Sequence, residues 1–545
     1  MTDLTKGNNE TIQRAELHRK IWAIADNVRG AVDGWDFKQY ILGILFYRFI
    51  SENITEFFNS AEHEAGDLEF DYAEISDKEA EEDFRPNTVE DKGFFILPSQ
   101  LFENVVKTAK DNENLNTDLA NIFKAIEGSA VGFASEDDIK GLFEDVDTTS
   151  NRLGGTVAEK NKRLTDILTG IAGINFGNFK NNDIDAFGDA YEYLISNYAS
   201  NAGKSGGEFF TPQTVSKLLA RFVMDGKTNI NKVYDPTCGS GGMFVQSEKF
   251  VQAHSDNRGN ISVYGQESNA DTWKMAKMNM AIRGIDANFG SYHADTFFND
   301  LHKTLKSDFI MANPPFNLSN WGADKLKDDV RWKYGTPPSG NANYAWIQHM
   351  IHHLAPNGKI GLVLANGALS SQSSGEGEIR RKIIEDDLIE GIVALPTQLF
   401  YSVTIPVTLW FISKNKKQKG KTLFIDARKM GFMVDRKHRD FTEGIQADGS
   451  LGDIDLLAKT FEDFQNGVLE EKKGFSAIAS IEDIAKQDYI LTPGRYVGIE
   501  EQEDDGEPFE EKMTRLTSEL SDMFKKSHEL EEEIRKKLGA IGYEV

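Results

Sequence analysis

The sequence predicts an α/β protein on a doubly wound, mostly parallel sheet, preceded by an all-helical N-terminal domain and followed by a C-terminal helix. Three observations predict it. Before about residue 170 apolar residues recur at helical spacing without strand-type alternation. From about 230 to 430, short β-rich apolar runs alternate with helical stretches, the texture of βαβ units. From 506 to 545 there is one amphipathic stripe. At 545 residues the chain exceeds one ordinary core, and its 39% hydrophobic content suffices for two or three packed units.

The helical domain is placed at 1–170, with Leu17, Ile21, Ile24 and Val28, then Tyr40, Ile44, Tyr47 and Ile50, on successive turns, and a further helical stretch from Leu101 to Ile126. A helix over Asp185–Tyr198 leads into the glycine-rich loop Ala202–Gly207, near the start of an α/β domain spanning 171–430. Its strands are expected at Lys232–Tyr234, Ser262–Tyr264, Phe309–Ala312, Ile360–Ala365 and Gly391–Leu395, with Thr404–Ser413 and Thr422–Asp426 closing the edge as a hairpin. Residues 431–505 read as a mixed region with an acidic linker, and 506–545 as an amphipathic helix for subunit contact. There Met513, Leu516, Leu520, Met523, Leu530, Ile534, Leu538 and Ile541 form a narrow stripe broken at Ser527, which suits packing on this chain or docking on a helical partner.

The net charge of −26 argues against a chain that binds DNA unaided, because phosphate neutralisation by Lys and Arg supplies most non-specific affinity. A chain of this charge that acted on DNA would need a separate subunit to carry much of the DNA contact. No apolar run approaches the ~20 residues that span a bilayer, and Met1–Lys6 lacks a signal pattern, so a cytoplasmic protein without membrane contact is expected. The single Cys238 excludes an internal disulfide and a multi-cysteine zinc site, and no metal is expected. The phosphate-loop pattern of motor ATPases is absent.

The strongest local feature is Asp235-Pro-Thr-Cys-Gly-Ser-Gly-Gly242, between a short strand and the helical pattern Met243–His254. In such a turn the missing side chains let backbone amides approach a ligand, and the helix N-terminus is aimed at it. Asp235, Gly239, Ser240, Gly241 and Gly242 thus suit a nucleotide-like cofactor, although alone the loop would equally be a tight turn. Phe244 stands where the dinucleotide fingerprint needs its third glycine, which disfavours NAD. The next strand ends at Glu267, where a doubly wound fold places the carboxylate that grips ribose hydroxyls. One strand later, Asp295 is either an acceptor for an adenine amino group or a helix N-cap. Cys238 has no base beside it and reads as a small residue.

After the apolar run Phe309–Ala312 stands Asn313-Pro314-Pro315-Phe316, at the carboxyl edge where open α/β sheets bind ligands. An exocyclic amine conjugated to a ring is a poor nucleophile. Accepting hydrogen bonds from both its N–H groups, through the Asn313 side-chain oxygen and the Pro314 carbonyl, favours a tetrahedral nitrogen with a usable lone pair. Pro314 and Pro315 fix the backbone, and Phe316 offers a stacking face for an extruded base.

Together these segments resemble the amino-methyltransferases that carry a D-P-x-x-G-x-G loop followed by N-P-P-F. The resemblance implies a Rossmann-like methyltransferase fold and S-adenosyl-L-methionine as cofactor. Glu208-Phe-Phe-Thr-Pro-Gln213 is similar to that family's cofactor-binding segment, which carries the role onto Glu208, Phe209, Phe210, Thr211, Pro212 and Gln213. More narrowly, Leu17–Asp26 with Phe37–Ser51, and later Ala394–Phe400 and Ile405–Phe411, resemble the modification (M) subunit of type I restriction-modification systems. The resemblance covers most of residues 10–430. It implies site-specific methylation of adenine N6 in DNA, on a flipped base. As partners it implies a specificity (S) subunit, a second M subunit in a complex of two M with one S, and a restriction (R) subunit. Methyltransferases of RNA or of a protein glutamine share the N-P-P chemistry, and a non-catalytic scaffold is the remaining alternative.

Overall fold

The computed structural model describes residues 36–176, 211–224, 232–254, 261–400, 405–434, 436, 438–499 and 509–540, with parts of 17–24 and 187–194. The chain divides into two compact units, Met1–Val497 and Gly498–Val545. Among the described residues no helix is long and apolar enough to cross a membrane.

The first unit opens with helices, among them α1 (Asp36–Ala65), α2 (Leu115–Ser129) and α3 (Val157–Ala172). Tyr40, Ile44, Tyr47 and Ile50 are buried as their spacing requires, and Tyr47 sets its ring edge-on to Phe102 and Phe123 at 5.7 and 5.4 Å. Helix α3 begins at a capping box, Thr156 and Glu159 satisfying each other's backbone amides, a device worth about 1 kcal/mol. This helical core continues into the sheet domain through Met278 and Ile282. Lys274 crosses the same seam to Glu144 (2.9 Å) and Asp145 (3.1 Å).

The sheet domain contains α4 (Gln213–Met224), β1 (Lys232–Asp235), α5 (Gly242–His254), β2 (Ser262–Gly265), α6 (Ala270–Ile282), β3 (Ala287–Asn288), β4 (Ser307–Ala312), α7 (Asn343–His353), β5 (Leu354–Ala365), α8 (Glu376–Glu385), β6 (Ile389–Ala394), β7 (Val407–Ser413), β8 (Lys421–Asp426), β9 (Phe432–Met433), β10 (Arg439–Asp440), α9 (Asp453–Gln465) and β11 (Ser476–Ser480). Nine strands form one sheet in the order β11-β8-β6-β7-β5-β4-β1-β2-β3. Strands β3, β2, β1, β4 and β5 are parallel, and β6 is parallel to β8.

The expected hairpin does not form. Strand β7 runs antiparallel between β5 and β6, while β8 pairs with β6 and β11. The reason is burial: all seven residues of β7 are buried, so this apolar run needs a strand on each side. The sheet domain also extends past 430. Strand β11 completes its edge and α9 covers α4, with Phe461 stacked on Phe222 at 4.5 Å and Asp455 paired with Arg221.

The second unit is the helix α10 (Phe509–Ala540), tied along its surface by the pairs Arg515–Glu519 (3.2 Å) and Lys537–Glu533 (2.7 Å). Met513, Leu516, Leu520, Met523, Leu530 and Ile534 are exposed on it.

Candidate active site at the carboxyl edge of the sheet

Neighbouring strands β1 and β4 pair in parallel, Val233 opposite Phe309 and Tyr234 opposite Ile310, so the Asp235 loop and Asn313 leave the sheet side by side. The loop turns through left-handed backbone at Gly239 (φ 54°) and Gly241 (φ 81°), which glycine adopts without strain. Among the described residues a Cβ at Gly239 or Gly242 would meet nothing within 4 Å, whereas one at Gly241 would strike Met280 at 2.9 Å. The loop therefore faces open space on one side and is held close on the other.

Glu267, at the end of β2, reaches this loop. Its Oε2 accepts from the Gly239 amide at 3.1 Å and its Oε1 from the Asn269 amide at 2.8 Å. An acidic group beside an open glycine turn at a helix N-terminus suits a ribose, and these residues fit a nucleoside cofactor. Glu267→Ala is expected to weaken S-adenosylmethionine binding about ten- to a hundredfold, since unpaired ribose hydroxyls cost roughly 1–3 kcal/mol. Isothermal titration checks it, and unchanged affinity would move the ribose contact elsewhere.

Asp235 is buried, and burial, reinforced by the nearby charge of Glu267, pushes its carboxyl up to about 7 against the opposing hydrogen bonds from Thr237. The group holds its proton more tightly folded than unfolded, so its contribution to stability is full below about 4 and is lost as pH rises through 7. Asp235→Asn, which cannot titrate, should thus gain unfolding temperature relative to the parent between pH 5 and pH 8, measured by thermal melts at both values. Burial also pushes the Cys238 thiol up, helped by Glu267 and Asp235, which leaves it a poor nucleophile.

Asp295 lies exposed in a turn, its Oδ1 accepting from the Phe297 and Phe298 amides at 2.8 and 3.1 Å. The carboxylate caps a turn and no helix follows, so the helix N-cap expected as its alternative does not form. The turn nevertheless borders the cofactor loop, because Thr296 Oγ1 donates to the Pro236 carbonyl (2.6 Å) and the Ala294 amide to the Glu267 carbonyl (2.8 Å).

Asn313 is 8% exposed, and its Nδ2 donates to Thr211 Oγ1 at 3.0 Å. Its Oδ1 is buried and, among the described residues, has no hydrogen-bond partner. An unmet acceptor in such surroundings costs free energy that a ligand donor recovers. Pro314 is buried, Pro315 and Phe316 are half-buried, and Phe316 packs against the central core. Of the expected cofactor segment, Thr211 and Pro212 precede α4 and Gln213 begins it, while Glu208, Phe209 and Phe210 lie outside the described residues.

A family model described as N-6 DNA methylase matches residues 182–505, more than half of the chain. The chain belongs to the N-6 DNA methylase family. It is an adenine-specific DNA methyltransferase of the modification-subunit type, and a model described as HsdM N-terminal domain matches residues 17–171. The methylase subunit of type I restriction enzyme HindI from Haemophilus influenzae is 53% identical over 361 residues, covering 66% of this chain and 79% of that protein. The MpnII methylase subunit of Mycoplasma pneumoniae is 37% identical, over 91% of both chains. The crystal structure of the type I restriction-modification methyltransferase subunit from Streptococcus thermophilus is similar with a TM-score of 0.76 and 28% identity, over 89% of this chain and all of that one.

In this methylase, residues that carry no motif support the site. Gln266, fully buried, donates to the Ala294 and Asn299 carbonyls (3.2 and 2.8 Å) and accepts from the Leu301 amide (3.0 Å), clamping the Asp295 turn to β2. Arg331 donates to the Thr296 and Phe297 carbonyls from behind, and Asn279 of α6 donates to the Ser240 carbonyl at 2.8 Å. Only the place of Gln266, one residue before Glu267, could have drawn attention in the sequence.

Proposed function

We propose that this methylase transfers a methyl group from S-adenosylmethionine to N6 of an adenine rotated out of the duplex, with Asn313 and the Pro314 carbonyl accepting from the two N–H groups of the target amine. The observation that carries this reading is the buried, unpartnered Oδ1 of Asn313, oriented by the hydrogen bond its Nδ2 gives Thr211. The bound cofactor supplies an electrophilic sulfonium methyl. Gly239, Ser240, Gly241 and Gly242 cradle its polar end, Asp235 supports their turn, Glu267 takes the ribose, and the Asp295 turn borders the adenine. Thr211, Pro212 and Gln213 line the methionine end and adenine in this reading, a role that the family resemblance extends to Glu208, Phe209 and Phe210. The two acceptors would hold N6 with its lone pair directed at the donor methyl, and the amine proton that the transfer displaces would leave to solvent. Phe316, backed by Pro315, stacks on the extruded ring.

A glutamine amide or an RNA base would fit the same acceptors, and the match of the N-terminal domain favours DNA. The partners in this reading are DNA, an S subunit that supplies sequence specificity, a second M subunit in a complex of two M with one S, and an R subunit. Co-expression with the S subunit followed by mapping of N6-methyladenine in host DNA tests it. Methylation confined to one recognition sequence and dependent on the S subunit is expected, and unmodified DNA would reject the reading.

A further inference from the structure

The carboxyl edge that carries Asn313 also carries a feature without a role in the chemistry above. Strands β9 and β10 form a two-stranded ribbon after β8, Arg439 opposite Met433 and Asp440 opposite Phe432, closed by the Val434 amide donating to the His438 carbonyl at 2.8 Å. Its base is anchored. Phe441 is buried in the core, Met430 packs on that core, and the Arg439 amide donates to the Gln398 carbonyl at 2.9 Å. Arg439 Nη1 donates to the Met430 and Gly431 carbonyls at 2.9 and 3.1 Å. Gly431 (φ 80°) lets the ribbon turn where a Cβ would meet the Asp440 carbonyl at 2.7 Å.

The far part is apolar and open to solvent: Phe432, Met433 and Val434 are 47, 42 and 60% exposed. Three consecutive exposed apolar residues on an anchored ribbon suit a surface that is covered in use. The charge is equally local. Between 428 and 440 stand five cations, Arg428, Lys429, Arg436, Lys437 and Arg439, against two carboxylates, Asp435 and Asp440, in a chain of net charge −26. Arg428 pairs with Asp426, on whose carboxyl the charge of Lys429 also acts, Arg439 holds the turn, and the side chains of Lys429 and Arg436 are exposed to solvent.

Strands β5 and β6 both run antiparallel to β7, so β1, β4, β5, β6 and β8 all point the same way and the ribbon leaves the edge that Asn313 leaves. At about 4.8 Å per strand, β8 lies about 19 Å from β4. At about 3.4 Å per base pair that is roughly six base pairs of duplex.

We propose that the ribbon of β9 and β10, together with Lys429 and Arg436, is a DNA-seating element of this methylase, with Lys429 and Arg436 on backbone phosphates within one helical turn of the flipped adenine and Phe432, Met433 and Val434 against the groove wall. The proposal rests on the reading of the chain as a DNA adenine methylase. It gives an acidic subunit a confined cationic contact of its own, beside whatever the S subunit supplies.

The test uses the complex with the S subunit and compares the parent with Lys429→Gln/Arg436→Gln, Lys429→Arg/Arg436→Lys and Phe432→Ser/Met433→Ser. Removing two phosphate contacts should lower the slope of log affinity against log salt by about 1.8 and weaken DNA binding about tenfold near physiological salt. The charge-conserving pair should keep the parent slope, and the apolar pair should lose affinity at unchanged slope. Cofactor affinity and unfolding temperature should stay at parent values throughout. Parent slope and affinity in the neutralised variant would overturn the proposal. So would loss of co-elution with the S subunit, which would make the ribbon a protein interface. A parent complex that binds DNA yet forms no N6-methyladenine would instead defeat the functional reading, leaving the slope comparison to decide the ribbon.

Discussion

Asn313→Ala is expected to reduce methyl transfer by at least about a hundredfold while S-adenosylmethionine affinity stays within about twofold of the parent. In the proposed mechanism the side chain meets the target amine and not the sulfonium. Its buried Oδ1 is an acceptor set in position before the substrate arrives, and removing one such preorganised group from a reacting centre costs about 10²–10³ in rate. Thr211 orients the amide through Nδ2, so Thr211→Val should lower the rate by a smaller factor, the amide keeping its chemistry while losing its fixed aim. Single-turnover methylation beside calorimetric titration of the cofactor separates the two effects. Transfer by Asn313→Ala near the parent rate would remove Asn313 from the mechanism.

The second large effect is expected from truncation after Asp505. The unit Met1–Val497 carries the helical domain, the nine-stranded sheet and every residue of the proposed site, so the shortened chain should fold and bind cofactor. It should no longer assemble with the S subunit or methylate specific sites. The stripe Met513, Leu516, Leu520, Met523, Leu530 and Ile534 is exposed on α10, which suits a helical partner. Gel filtration of co-expressed subunits decides it, and a truncated chain that still co-elutes stably would show that the helix is not the dock.

Much of this was legible in the chain because the chemistry-bearing segments are local. Asp235–Gly242, Glu267 and Asn313–Phe316 each follow a short apolar strand, and a parallel sheet brings such strand ends to one edge. What a one-dimensional reading lacks is the identity of neighbours. Val407–Ser413 reads the same whether it lies at an edge or between two strands, and only burial on both sides places it between β5 and β6. Strand β11 is hidden because Ser476–Ser480 is built of small residues around one isoleucine. The contact of Thr211 with Asn313 and the clamp by Gln266 join segments far apart in sequence. Asp295 was ambiguous for a physical reason, since one carboxylate oxygen caps a turn whose position also lines the cofactor loop.

Seated on DNA with its S subunit, this chain is expected to move a methyl group to adenine N6. The most direct measurement supplies the complex with isotope-labelled S-adenosylmethionine and duplex DNA, digests the product to nucleosides and identifies the labelled species by mass spectrometry. Label in N6-methyladenine, absent when Asn313→Ala replaces the parent chain, is the predicted result. Label on cytosine or on a protein glutamine, or undiminished label with the variant, would contradict it.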